Sequence, residues 1–282
     1  MSLVNTESYA IEDRNIERLV NFLRETPKGV SYSTPQSKED LEEVFKLRYS
    51  RYVDEGIIPE NPSGLHLNLE LLLPDCRTFL AKTEGKLIAT ISIVKDNSYG
   101  LAIDDYFSEE MNLLRSEGRK LAEVTAFASL PKLNGLRNVP FHLMNFTHKE
   151  GYLNEINNLV IKVQPKDKSV YQALWGFREF CKVVDYKTTR LMSLRNDIDE
   201  NIKCFKKYQE NENNGSISSL LSLREHEIEI FKQDSVHYVP SPEEIFYFLK
   251  LRTSTWQNTP ENKKERFKQR YHEYYKDLRF LD

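Results

Sequence analysis

Two stretches decide the fold: Arg119-Lys-Leu-Ala-Glu-Val-Thr-Ala-Phe-Ala-Ser129 and, further on, Leu159-Val-Ile-Lys-Val-Gln-Pro165. In the first, Leu121, Glu123, Thr125, Phe127 and Ser129 alternate with Ala122, Val124, Ala126 and Ala128. That period of two predicts a strand showing the first set to one face, with a single acidic group on it. The second is a short apolar strand stopped by a proline, which cannot donate to a ladder. A helical piece at about 141–150 lies between them, and Tyr171-Gln-Ala-Leu-Trp-Gly-Phe177 ends a helix predicted over 167–175. Strand, helix, strand, helix in that order predicts a mixed α/β sheet.

Working outward, Cys76–Thr83 and Lys86–Val94 flank Glu84-Gly85, the signature of a two-residue hairpin turn. Upstream, Ser37 with Asp40 three residues on is a variant capping box opening a helix over 38–54. Its apolar stripe is Leu41, Val44, Phe45, Tyr49 and Tyr52, with Arg48 set inside it. A guanidinium within an apolar stripe needs a partner. Residues 11–24 form a short amphipathic helix on Ile16, Leu19, Val20 and Leu23, and 27–36 read as a turn-rich link. A short helix is expected near 108–116 and two strands near 178–184 and 187–194.

After about residue 195 the chain changes character: 198–216 is rich in Lys, Glu and Asn, and 217–282 reads as three helices. Ser241-Pro242-Glu243-Glu244 is a capping box with proline at the first helical position, and Thr259-Pro260 repeats it more weakly. The division is therefore 1–36, an N-terminal helix and link; 37–195, the α/β core; and 196–282, a helical extension.

Composition narrows the function. A net charge of −3 argues against a nucleic-acid partner, which would favour a strong basic excess. Three cysteines, odd in number and without CxxC spacing, read as reduced thiols with no metal site, and the six histidines lack ligand spacing. His142 and His148 are expected on a helix surface. No run has signal-peptide or membrane-span character, so the expected compartment is the cytoplasm. No nucleophile elbow or Ser-His-Asp order is visible, which argues for direct transfer without a covalent enzyme intermediate.

The chain resembles the N-acyl amino acid synthase family of the FeeM type and, more distantly, the acyl-homoserine-lactone synthases. The likeness runs over about 38–195. It is carried by Leu47-Arg48-Tyr-Ser-Arg-Tyr52-Val-Asp-Glu55, by Phe79-Leu-Ala81 with Gly85 and Ala89-Thr90-Ile91, by Glu123-Val-Thr125, and by Val163-Gln-Pro165 followed by Tyr171 and Gly176-Phe177. It implies a GNAT-like mixed central sheet flanked by helices, here with a C-terminal helical extension. It also implies acyl transfer from acyl carrier protein to an amine. Two departures stand out: Ala126 occupies the place of an arginine usual in the family, and Leu69-Glu70-Leu-Leu-Leu73 replaces its acidic residues before the hairpin. Acetyl-CoA-dependent members of the fold hold the pyrophosphate on a glycine-rich loop, whereas between Ser129 and Phe146 this chain has only Gly135. The donor expected is thus an acyl-phosphopantetheine thioester on acyl carrier protein rather than acyl-CoA, with no tightly bound cofactor.

Each candidate residue has two readings. Glu123 takes the amine's proton, or it forms a buried ion pair with Arg48 or Arg119. Arg48, beside Tyr52, clamps an acceptor carboxylate through its two-pronged guanidinium, or it bridges to Glu123 or Asp54. Tyr171 protonates the leaving thiolate, or it packs under the sheet. Backbone N–H groups near Phe127 and Ala128 receive the oxyanion if the strand breaks there, and Thr125 beside them is a further candidate to contact the substrate. Phe127, Phe141 and Trp175 line an acyl tunnel, or they are core. The alternatives to acyl transfer from acyl carrier protein are an acetyl-CoA-dependent N-acetyltransferase and a non-catalytic binding module on the same scaffold.

Overall fold

The computed structural model describes residues 11–24, 26–131, 136–186, 189–212, 223, 225–232 and 238–275. Its centre is an eight-stranded sheet ordered β1-β2-β3-β4-β5-β8-β6, with β7 paired to β8. The strands are β1 (Val30–Ser33), β2 (Cys76–Thr83), β3 (Lys86–Lys95), β4 (Leu121–Ser129), β5 (Asn158–Val163), β6 (Arg178–Glu179), β7 (Val184–Tyr186) and β8 (Thr189–Asp197). The hairpin at Glu84-Gly85 forms as expected, both turn residues taking positive φ (49° and 76°). Edge strand β1 lies inside the stretch read as a link; four residues are too short a run for alternation to stand out. The strand expected at 178–184 is broken into β6 and β7.

Helix α1 (Asp13–Leu23) buries the four residues of its predicted stripe. Helix α2 (Lys38–Asp54) starts where the cap predicts: the Asp40 N–H donates to Ser37 Oγ at 3.3 Å. The shorter Asp40 carboxylate closes the box on the Gln36 N–H, at 2.9 Å, rather than on the cap residue itself. Helices α3 (Asp104–Ser116), α4 (Val139–Leu153) and α5 (Lys168–Trp175) follow. The C-terminal part holds α6 (Ile198–Glu212), α7 (Glu225–Lys232), α8 (Pro242–Phe246, continued as a π-helical turn over Tyr247–Arg252), α9 (Thr255–Asn258) and α10 (Glu261–His272). Ser241 and Glu244 make the reciprocal cap of α8, at 3.3 and 2.7 Å. Thr259 does not cap α10; its hydroxyl turns back to the Thr255 carbonyl at 2.7 Å, so the helix begins on Pro260 alone.

The sheet separates two cores. One face carries α1, α4, α5, α6 and α7, with Leu143, Phe146, Trp175 and Phe231 packed on Phe79, Ile91 and Val124. The other carries α2, α3 and the C-terminal helices, where Phe45, Phe248, Phe267 and Tyr271 pack with Leu72, Leu80 and Leu121. The basic tail helix α10 is thus solvated on one side only, because Phe267 and Tyr271 are fully buried. His142 and His148 are also buried, at 0% and 8% exposure, correcting the expected surface placement. Helix α4 lies between the sheet and other helices, so both of its flanks are covered.

Strand β4 carries Glu123. It runs antiparallel to β3 and parallel to β5, and the β4–β5 ladder ends at Val124↔Ile161. Opposite β3, the register jumps from Thr90↔Ala128 to Ser92↔Thr125. Ala126 and Phe127 therefore oppose Ile91 alone, which is a β-bulge, and Ala126 takes φ +56°. The bulge flips the expected alternation. Ala126 joins the face of Leu121, while Phe127 joins Ala122 and Val124 on the other. A left-handed alanine costs about 1 kcal/mol, which the surrounding ladder must offset.

Candidate active site

Glu123 sits just before the bulge, 1% exposed. Its Oε2 accepts the Ile103 N–H at 2.8 Å, from the turn that opens α3. Its Oε1 lies 2.8 Å from Lys162 Nζ on the neighbouring β5. Neither ion pair expected for it forms: Arg119 lies against Asp197 at 3.5 Å instead. Burial pushes the Glu123 pKa up; Lys162 opposes that, the nearby Glu70 carboxylate adds to it, and the Ile103 N–H opposes it. Glu70 is itself buried, held at 2.7 Å by Asn68 Nδ2. One acidic side chain of the replaced motif therefore still reaches this interior.

Arg48 is 3% exposed on α2, which packs across β3 and β4. Its guanidinium carbon stands 5.2 Å over the Tyr52 ring. Its Nε and Nη1 are buried and bond to no protein atom. Asp54, the other partner expected for it, is taken by Arg51 at 2.8 Å. A buried cation with neither carboxylate nor hydrogen-bond acceptor is costly.

Tyr52 lies 5.2 Å from His66, ring to ring, and is an electrostatic neighbour of Tyr171 on α5. Burial pushes the Tyr171 phenol up to about 12, so it keeps its proton at neutral pH. Helix α5 ends at Gly176, whose φ of +65° and tight surroundings exclude a side chain: a Cβ there would lie 2.5 Å from Asn201 Oδ1. This fixes the helix that carries Tyr171.

The remaining candidates are divided by the sheet. Thr125, Phe127 and Ala128 surround the bulge. Phe141 stacks on Phe22 at 4.2 Å, and Trp175 stacks on His148 at 4.7 Å; both belong to the α4 face, opposite the core that α2 and α3 cover. The segment containing Gly135 lies outside the described residues.

Two groups not singled out from the sequence belong here. Lys162 gave a weak signal, a lone cation in the apolar run of β5. Thr90 pairs with Ala128 across the bulge; its Oγ1 is fully buried and bonds to no protein atom. Nothing in a threonine among β-branched strand residues marks it, because the bulge opposite gives it meaning. Cys76 and Cys181 offer no nucleophile here: burial pushes both thiols up to about 12.

Residues 43–194 match the family of the N-acyl amino acid synthase FeeM, more than half of the chain. The chain belongs to the FeeM family of N-acyl amino acid synthases. It is accordingly an N-acyltransferase. The structure of FeeM, an N-acyl amino acid synthase from uncultured soil microbes, is similar with a TM-score of 0.55 and 23% identity; the match covers 62% of this chain and 93% of that one. The acyl-homoserine-lactone synthase LasI gives a TM-score of 0.46 and 16% identity, over 60% and 89%. BjaI, a CoA-dependent synthase of that kind solved with SAM and isopentyl-CoA, gives 0.48 and 12%, over 64% and 90%. No curated protein matches this FeeM-family chain. Among the described residues, no helix is long and apolar enough to cross a membrane.

Proposed function

We propose that this synthase moves a medium or long acyl chain from the phosphopantetheine thioester of acyl carrier protein to the amino group of an amino acid, by direct transfer. The observation that carries the acceptor is Arg48. A buried guanidinium whose Nε and Nη1 bond to no protein atom, stacked on Tyr52, has donors left over for a carboxylate. The donor assignment is supported by the lack of a glycine-rich stretch after β4, since the pantetheine arm of a carrier protein needs no pyrophosphate cradle.

In this reading the amine attacks the thioester carbonyl, a C–N bond forms, and the oxygen becomes an oxyanion facing the bulge. Its donors are the backbone N–H of Phe127, inside the bulge, and the Thr90 hydroxyl, which has no competing protein partner; the Ala128 N–H is taken up by its rung with Thr90. The C–S bond then breaks. Glu123 takes the proton that the nitrogen loses, directly or through a water, its raised pKa making it a better base than a surface glutamate. A phenol at about 12 is a weaker acid than an ordinary thiol, so Tyr171 holds the departing sulfur by a hydrogen bond. The thiolate recovers its proton from the amine by way of Glu123.

The test is mass spectrometry of the purified protein with acyl carrier protein thioesters of graded chain length, acyl-CoA counterparts and pooled amino acids, with Glu123→Ala alongside. An acyl amide made from the carrier-protein donors and lost in the variant is the expected result. Amide formed only from acyl-CoA overturns the donor assignment, and no amide from any donor overturns the reading.

A further inference from the structure

Residues 238–275 lie beyond the stretch that matches the FeeM family, which ends at residue 194. They form α8 with its π-helical turn, α9 and α10. Their large apolar side chains Phe248, Trp256, Phe267 and Tyr271 are each 5% exposed or less. All four pack into the core on the α2 and α3 face of the sheet. Glu123 faces the same side, because it pairs across the ladder with Val94 of that core, and Arg48 is carried there by α2.

The extension grips this face at three places, and each adjoins in the chain a group of the proposed acceptor side. On α2, Glu42 accepts from the Tyr247 hydroxyl at 2.8 Å and from Arg252 Nη2 at 3.2 Å, and Phe45 meets Phe248 edge-on at 5.3 Å. Phe45 is three residues before Arg48, on the same side of the helix. At the head of α3, Lys263 pairs with Asp105, and Phe267 meets Tyr99 edge-on at 6.3 Å. Between Tyr99 and Asp105 lies Ile103, whose N–H donates to Glu123. At the start of β2, Arg270 forks onto Asp75, with Nε 2.7 Å from Oδ2 and Nη2 2.6 Å from Oδ1. The turn just before it, Leu69–Leu72, carries Glu70, the carboxylate that neighbours Glu123 electrostatically.

Exposed single ion pairs hold little. The Asp75 side chain, however, is only 8% exposed, and a bidentate fork fixes orientation as well as distance. Three anchors on separate elements also fix those elements relative to one another, which a helix merely laid on the core would not do. We infer that the C-terminal extension braces the acceptor side of the site, with Tyr247, Arg252 and Arg270 as positioning residues that govern use of the amine without touching either substrate. The groups held in this way are Arg48, Glu70 and the Ile103 N–H on Glu123. The inference rests on the acyl-transfer reading for its effect on turnover, but its mechanical half stands alone.

The experiment uses the full chain carrying Arg270→Met, or Tyr247→Phe together with Arg252→Met, each checked for a cooperative melt. Hydrogen exchange is followed by mass spectrometry, and amide formation is measured with amino acid and acyl donor varied separately. Exchange is expected to quicken about tenfold or more over 69–76 in the first variant and over α2 in the second, with β5 and α5 unchanged, as loss of hydrogen bonds to charged groups implies. In both, kcat/KM for the amino acid should fall about 10- to 100-fold, as misplacement by about 1 Å does, while KM for the donor stays within about twofold. Arg270→Lys, which keeps the charge and loses the fork, should fall between wild type and Arg270→Met. Exchange that is unchanged, or quickened equally along the whole chain, overturns the inference, as does an equal loss toward both substrates. Should a variant fail to fold, Tyr247→Phe alone, which removes one hydroxyl, decides the same comparison. Selective quickening with no amide from any form of the protein removes the function and leaves the brace standing. Amide formed at the wild-type rate by variants whose exchange is unchanged does the reverse.

Discussion

Replacing Arg48 by methionine should move stability and activity in opposite directions. The guanidinium is 3% exposed and lacks a carboxylate partner, with Nε and Nη1 unmet by the protein. Each unmet buried donor costs about 1–3 kcal/mol. Removing the cation relieves that and forfeits its contact with Tyr52, about 0.5–2 kcal/mol. Buried charges replaced by apolar side chains of similar size gain about 1–4 kcal/mol. The net expectation is a melting temperature unchanged or raised by a few degrees, at about 2–4 °C per kcal/mol. Function should fall: losing one side of a buried charge pair costs about 2–5 kcal/mol. At about 1.36 kcal/mol per decade, kcat/KM for the amino acid drops roughly 30- to 5,000-fold.

The assay compares an amino acid with its decarboxylated amine at fixed acyl donor, in wild type and variant. Wild type should strongly prefer the amino acid and the variant should not, while slow hydrolysis of the thioester, which needs no acceptor, stays within about twofold by the additivity of separate sites. A clearly destabilised Arg48→Met that retains its preference for the carboxylate would refute the reasoning, because Arg48 would then be structural.

Lys162→Met removes the nearest cation from Glu123, and Lys162 is what holds the raised pKa down. The acid limb of kcat/KM, which rises as Glu123 deprotonates, should therefore shift to higher pH; a limb that stays put or moves down refutes the assignment. The same raised pKa means that below the ordinary glutamate pKa both folded and unfolded chains carry the proton. As pH rises between the two values, the folded state resists ionisation and stability declines, a slope that Glu123→Gln should abolish in pH-dependent denaturant titrations. Thr90→Val, isosteric without the hydroxyl, should lower kcat by about 100- to 1,000-fold with little change in KM, as loss of one oxyanion donor does. Ala126→Val puts a branched side chain at φ +56° and should cost about 1–3 kcal/mol in urea melts, whereas Ala126→Gly should be neutral or stabilising.

The elements with strong local signals were legible in the sequence: α2 from its cap and stripe, the β2–β3 hairpin from Glu84-Gly85, and β5 from its terminal proline. Glu123 and Arg48 were visible for the same reason, as charges set inside apolar patterns. What was hidden depends on partners distant in sequence. The buried sides of His142 and His148 come from covering both flanks of α4, which no window along that helix reveals. Lys162 belongs to the site because β5 lies parallel beside β4, and Thr90 because β3 faces the bulge. The bulge itself sits at Ala126, where no glycine advertises a positive φ, so a strict alternation over 121–129 is the natural reading and it fails halfway.

That failure has a chemical meaning. Strand β4 continues past the last rung it shares with β5, and the bulge falls in this unpaired stretch. Before the bulge the strand aims Glu123 at the α2 and α3 side, where the buried Arg48 lies. After it, Phe127 turns to the α4 side, toward the apolar core that holds Trp175. A thioester threaded through the β4–β5 opening would have its acyl chain on one side of the sheet and its acceptor on the other, with the carbonyl at the break. An unbroken ladder could present neither the oxyanion donors nor the passage between the two faces. Restoring regular pairing, by deleting one of Ala126 or Phe127, should therefore abolish transfer from every donor even where the shortened protein still folds and melts cooperatively.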